Sequence, residues 1–277
     1  MTYSTTTLRS APDLGAIKQK QRATWASGDY SLIGNTLQMV GDRLAKALEV
    51  HPGSRVLDVA AGNGNVSLAL ARLWCDVTST DYVQSLLDDG RARAEAEGLE
   101  LDFRIADAEQ LPFEDGEFDG VVSTFGVMFA PDQQRAAAEL LRVCRSRGRI
   151  GLANWTPDGF VGAMFRVLGR HVPPPPGLRS PADWGRRDWI EKRFRAATFE
   201  LSFGLRTFEF AYDSPRHFVA FFRTYYGPVA KAFSALDVDG QRLLEADLLA
   251  LIAEFNTASD GTMRVPGEYA EILMTKA

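Results

Sequence analysis

The sequence predicts an α/β protein built on a largely parallel sheet. Three observations carry this. Arg55–Leu73 reads as strand, tight turn and helix. Strand-like apolar runs then alternate with helical patterns as far as Asn154. The strand candidates run into carboxylate, hydroxyl or small residues, at the ends where a parallel sheet gathers its ligands.

Asp13 to about Leu48 has helical spacing with one break near Gly28-Asp29, and His51-Pro52-Gly53 ends it. The first twelve residues read as a frayed end. Strand one is Arg55–Ala60. Behind it, Val66, Leu68, Ala69, Leu70 and Leu73 repeat at helical spacing. Strand two covers about Asp76–Thr80 and ends in Asp81, followed by a helix over about Val83–Glu97. Strand three is Leu101–Ile105, leading to Ala106-Asp107-Ala108, and strand four is Phe118–Phe125. A helix over about Gln133–Arg145 and the turn Ser146-Arg147-Gly148 lead to strand five, Arg149–Asn154. The alternation then stops for a long excursion, 156–195, holding the prolines Pro173–Pro176. A strand returns at Ala197–Tyr212, two helices at about Pro215–Leu236 and Asp239–Asn256, and two short strands at Thr262–Val265 and Tyr269–Thr275.

Composition narrows the classes. Hydrophobic residues make up 45% of the 277 and charged residues 24%, enough to build a packed core. A net charge of −5 argues against a general nucleic-acid binder. No run has the length of a membrane span, and the first residues lack the apolar core of a secretory signal. Cys75 and Cys144 lie far apart in apolar surroundings, so reduced thiols and a cytoplasmic location are expected. Three scattered histidines predict no metal site.

The turn after strand one, Ala60-Ala61-Gly62-Asn63-Gly64-Asn65, lets backbone approach a ligand. Asp58, four residues before Gly62, selects its charge. A carboxylate there repels a pyrophosphate and attracts an ammonium group. S-adenosylmethionine (SAM) carries an amino group, a carboxylate and a sulfonium, and no phosphate. The dinucleotide pattern G-x-G-x-x-G also fails, because Ser67 stands at its last glycine. Asp81, 23 residues after Asp58, is placed to take ribose hydroxyls, and it also fits a helix cap. Tyr82 can lie against adenine. Asp107 can accept from an adenine amine while the Ala108 N–H donates to the ring. Ser123 and Phe125 would border the methyl-donor end.

These stretches resemble class I SAM-dependent methyltransferases, of the group related to ubiquinone and menaquinone biosynthesis and other small-molecule methylation. The resemblance covers about 55–155, through LDVAAGNGN, TSTDY, ADAEQLPFEDGEFDGVVSTFGVMF and RIGLANW. The family's D-x-G-x-G-x-G stands here as Asp58 to Gly64, with Ala60 in place of the first glycine. It implies a doubly wound, seven-stranded mixed sheet with an antiparallel last strand, Asp81 on the ribose and Asp107 on the adenine amine.

The resulting expectation is one domain over 1–277. Its core spans about 50–155, 197–212 and 262–277, and helical cap segments cover about 13–48, 156–195 and 213–258. Trp25 and Tyr30 are cap residues expected near the cofactor; Trp155, Arg223, Tyr225 and Tyr226 are expected near a small, partly apolar methyl acceptor. His171, His217, Tyr225 and Tyr226 are the candidate catalytic groups, and the sequence singles out none of them as base. The alternatives are a SAM-binding regulator without catalysis, an NAD-dependent oxidoreductase, and a methyltransferase acting on nucleic acid or protein.

Overall fold

The computed structural model describes residues 13–27 and 29–277; the expected frayed end, and Gly28 at the expected helix break, lie outside the described residues. The chain runs through α1 (Leu14–Ala26), α2 (Tyr30–Gly34), α3 (Gln38–Leu48), β1 (Arg55–Val59), α4 (Asn65–Arg72), β2 (Asp76–Asp81), α5 (Gln84–Glu97), β3 (Asp102–Ile105) and β4 (Phe118–Thr124). It continues through α6 (Gln133–Val143), β5 (Cys144–Trp155), α7 (Phe160–His171), α8 (Arg187–Phe194), β6 (Thr198–Tyr212), α9 (Pro215–Tyr225), α10 (Gly227–Ser234), α11 (Val238–Phe255) and β7 (Met263–Lys276).

The sheet has seven strands in the order β3-β2-β1-β4-β5-β7-β6. β1 to β5 are mutually parallel, and β7 runs antiparallel to both its neighbours. This is the mixed, doubly wound sheet that the alternation and the resemblance imply. The order reverses beside β1, so the carboxyl ends of β1 and β4 splay apart and open a crevice. Among the described residues, no helix is long and apolar enough to cross a membrane.

Three elements differ from the sequence expectation. β5 begins at Cys144, where a helix end and turn were expected; Cys144 pairs with Phe118 across an irregularity, and Arg147 at φ 59° takes up the bulge. The long helix after β6 breaks at Tyr226, which is extended, and restarts with Pro228 in the first turn of α10. Proline fits there because that N–H has no helical partner in any case. The two last strands are one. Residues 263–268 pair with β6 alone, since β5 stops at Trp155 opposite Tyr269, and Pro266 is tolerated in this one-sided stretch. The β6–β7 ribbon thus overhangs the end of β5.

The expected cap segments take different places. α3 flanks the sheet: Gly41 meets the backbone of Asn65 and Val66, and Leu44 and Leu48 lie against Gly151. Residues 181–194 pack beside α6 and β5 and bury Trp184, Trp189 and Phe194. α1 and α2 supply side chains to the crevice, and α7 and α9 to a second cavity beside it.

Candidate active site

Four strand ends meet at one cavity of about 910 Å³, its open mouth included. β1 contributes Ala60 to Asn63, β2 contributes Asp81 and Tyr82, the turn after β3 contributes Ala106 to Glu109, and the end of β4 contributes Thr124 to Val127. Lys18, Gln21 and Trp25 of α1, and Tyr30 of α2, also line it, with Leu37, Asn65, Leu86 and residues 129–131.

The turn at β1 is held from several sides. Ala60 (φ 54°), Gly62 (57°) and Gly64 (81°) are all left-handed. Ala60 takes this conformation without being glycine, at a cost of roughly 1–2 kcal/mol. Gly126 lies so close that a Cβ there would collide with the Ala60 carbonyl oxygen. Asn63 donates to Asn35 Oδ1 at 2.9 Å, Asn65 donates to the Gly34 carbonyl at 2.7 Å, and Arg93 donates to the Asn63 carbonyl and Asn65 Oδ1 at 2.8 Å each. The 30–37 segment is therefore stitched to the turn.

Asp81 is 4% exposed. Its oxygens accept from the Gly62 N–H at 3.0 Å and the Val83 N–H at 2.9 Å. A carboxylate offers about four lone-pair sites, so acceptor capacity remains on the cavity side. Burial pushes its pKa up to about 6, against the lowering effect of those backbone donors. Asp107 accepts from the Glu109 N–H at 2.9 Å and from Lys18 at 2.6 Å, and Lys18 also pairs with Glu109.

Asp58 sits beneath the turn, outside the cavity wall. It is fully buried; Oδ2 accepts from Ser67 Oγ at 2.6 Å and Oδ1 has no partner. Burial, aided by the charge of Asp81, raises its pKa to about 7. It therefore stands behind the cavity wall, where the sequence suggested contact with a ligand. Ser123 is also behind the wall: it donates to the Val59 carbonyl at 2.7 Å and accepts from the Val127 N–H at 3.0 Å, tying β1 to the turn after β4. Gly64 caps α4, outside the lining.

A second, smaller cavity adjoins the first and shares Trp25, Tyr30, Leu37, Phe125 and Phe129 with it. Ile33, Trp155, Val161, Met164, Phe210, Phe222 and Tyr226 complete its lining. Phe125 stacks on Trp155 with centroids 3.9 Å apart and planes 4° from parallel. Trp25 presents its ring edge-on to Tyr30, Phe129 and Tyr226. Burial pushes Tyr30 up to about 12, helped by Asp81, and raises Tyr226 well above its ordinary value. Both phenols stay protonated at neutral pH.

Comparison with known proteins supplies the family. The model for a methyltransferase domain matches residues 57–152. An uncharacterised protein of Mycobacterium tuberculosis is 38% identical over 268 residues, 95% of each chain. A demethylmenaquinone methyltransferase of Deinococcus radiodurans is 35% identical over 155 residues, 52% of this chain and 64% of that one. The chain belongs to the class I SAM-dependent methyltransferases. The crystal structure of the YcgJ protein of Bacillus subtilis shares the fold of this methyltransferase, with a TM-score of 0.56 at 19% identity over 85% of this chain and 97% of that one.

The residues of the methyltransferase fit SAM. Asp81, Asp107 and Glu109 line the crevice against Lys18, its one lysine or arginine among the described residues. That balance suits a cationic ligand and opposes a pyrophosphate. At the close Ala60–Gly126 approach there is no room for a side chain on Gly126.

Trp25, Tyr30, Ala60, Gly62, Asn63, Asp81, Tyr82, Asp107, Ala108 and Phe125 all line the first cavity, and Trp155 and Tyr226 line the second. The remaining candidates lie elsewhere. His171 pairs with Asp247 at 2.9 Å, and His217 lies 3.4 Å from Asp213 at the start of α9. Tyr225 packs edge-on to Phe221. Arg223 donates to Gln241 at 2.7 Å and covers the Phe233 ring. The break in the helix explains the split at 225 and 226: Tyr225 ends α9, while Tyr226 is extended between α9 and α10 and lines the chamber. Sequence reasoning missed Lys18, Gln21, Glu109, Phe129 and Phe210. The i, i+3, i+7 spacing of 18, 21 and 25 was the available signal for the α1 pair.

Proposed function

We propose that this methyltransferase moves the methyl group of SAM onto a small, partly apolar acceptor bound in the aromatic chamber. One observation carries this reading: a carboxylate-lined crevice at the strand ends and an apolar chamber share five wall residues. Ligands in the two would abut across Phe125 and Trp25.

When bound, SAM supplies an electrophilic methyl on a sulfonium. In this reading Asp81 accepts from the ribose hydroxyls, Asp107 from the adenine amine, the Ala108 N–H donates to the ring and Tyr82 covers it. Asp58 adds negative potential from behind the turn. The chamber strips water from the acceptor and aligns its nucleophile, the two contributions that methyl transfer needs most. The phenols of Tyr30 and Tyr226 orient the acceptor by donating. Neither can remove a proton near neutral pH, so the acceptor must offer a lone pair or arrive ionised. The net charge of −5 and the apolar lining of the chamber favour a small molecule over a nucleic acid. The buried free thiols Cys75 and Cys144 suit the cytoplasm.

Titration calorimetry tests the cofactor. Binding of SAM and S-adenosylhomocysteine at micromolar concentration, without NAD, is expected. NAD binding without SAM binding would overturn the proposal.

A further inference from the structure

α1 lines the first cavity through Lys18, Gln21 and Trp25 and the second through Trp25, yet none of its residues is fully buried. It packs against α5 and α10, and two groups of side-chain contacts tie it to the cavity walls. Trp25, at the end near the chamber, meets Tyr30, Phe129 and Tyr226 through ring edges. Two turns earlier on the same face, Lys18 bridges Asp107 at 2.6 Å and Glu109.

This bridge differs from an ordinary surface pair. Glu109 is 5% exposed, and its other oxygen accepts from the Asp132 N–H at 2.7 Å. Its own N–H donates to Asp107 at 2.9 Å. Both carboxylates are thus fixed in place by backbone, and Lys18 is the group that moves with α1. Lifting the helix would leave a buried carboxylate without its cation, which is costly where separating a solvated pair is not. Asp107 is also the group assigned above to the adenine amine, so the latch sits at the cofactor's edge.

We propose that Lys18 is a positioning residue: its bridge to Asp107 and Glu109 latches α1 over the cofactor crevice and the acceptor chamber, and ligand leaves when the bridge opens. The inference rests on the cofactor reading above. Closure of one helix then completes both cavities at once, because Trp25 belongs to both linings.

Lys18→Met and Lys18→Arg, made in the full chain, test it by two measurements. The first is hydrogen–deuterium exchange without ligand. Lys18→Met should raise exchange over residues 14–26 and leave the sheet unchanged, while Lys18→Arg should stay near the parent. The second is release of S-adenosylhomocysteine, followed by stopped-flow tryptophan fluorescence. Release should quicken by about tenfold in Lys18→Met, because loss of a buried charge partner acts on dissociation. Added salt should speed release from the parent and leave Lys18→Met unaffected. Unchanged exchange over 14–26 would overturn the latch. So would unchanged release in Lys18→Met, or tighter binding, which would make Lys18 a competitor of the adenine amine. If the parent binds no S-adenosylhomocysteine, the cofactor reading fails, and the exchange measurement alone decides whether Lys18 holds α1.

Discussion

Replacing Asp58 by asparagine should stabilise the ligand-free protein at alkaline pH while weakening its hold on SAM. The side chain is fully buried, with one oxygen bonded to Ser67 and the other unpartnered. Burial raises its pKa from 3.8 to about 7. At about 1.4 kcal/mol per pK unit, the ionised folded state carries a penalty on the order of 4 kcal/mol. Asparagine keeps the shape and the acceptor for Ser67, but buries an amide N–H₂ without a partner, costing about 1–3 kcal/mol. A net gain of about 1–3 kcal/mol follows above pH 7. The sign with pH is fixed. Between 3.8 and about 7 the folded state binds more protons than the unfolded one, so parent stability falls as pH rises through that window. Asp81, raised to about 6, adds to the same slope. Urea unfolding of parent and Asp58→Asn at about pH 5 and about pH 8 should show the variant's advantage at the higher pH only. Calorimetry should show weaker SAM binding. An Asp58→Asn protein less stable than its parent at pH 8, or a difference independent of pH, would refute the reasoning.

Gly126→Ala forces a Cβ onto the Ala60 carbonyl, so thermal unfolding should show a loss of about 3 kcal/mol or more, with cofactor binding abolished. Tyr226→Ala should lower turnover by tenfold or more with SAM affinity nearly kept, whereas Tyr225→Ala, outside the chamber, should change turnover less than about twofold; steady-state kinetics and calorimetry together separate the two. His171→Ala removes a partner of the part-exposed Asp247 and should cost about 1 kcal/mol or less in urea unfolding, leaving the rate of methyl transfer unaltered.

The sheet was legible because its signals are local. Each parallel strand is a short apolar run, and a change of residue type marks where it stops, at Asp81, at Asp107 or at the small-residue turn after Val59. The crevice residues follow from those ends. The helical segments were harder because an amphipathic pattern states that a face is buried without stating against what. Hence α3, expected over the site, lies along the sheet, and Trp184 and Trp189 fill a flank. Asp58 was read by charge alone; that it faces Ser67 beneath the turn depends on strand alternation and on α4 packing, both tertiary facts. The bridge from Lys18 was hidden for the same reason: spacing puts Lys18 on the face of Trp25, but its partners are about ninety residues away.

The overhanging β6–β7 ribbon separates two jobs along one pair of strands. Where β7 lies beside β5, from Tyr269 onward, it closes the sheet and answers to the fold. Beyond Trp155 β7 has β6 as its one strand neighbour, and there Phe208 and Phe210 turn inward, with Gly267 leaving room for the Phe210 ring. Substitutions in this length can reshape the wall of the aromatic chamber, proposed above to hold the acceptor, without disturbing the strands whose ends line the first cavity. A lineage could therefore change what it methylates by editing some dozen residues at the ribbon's tip, with the donor half inherited intact.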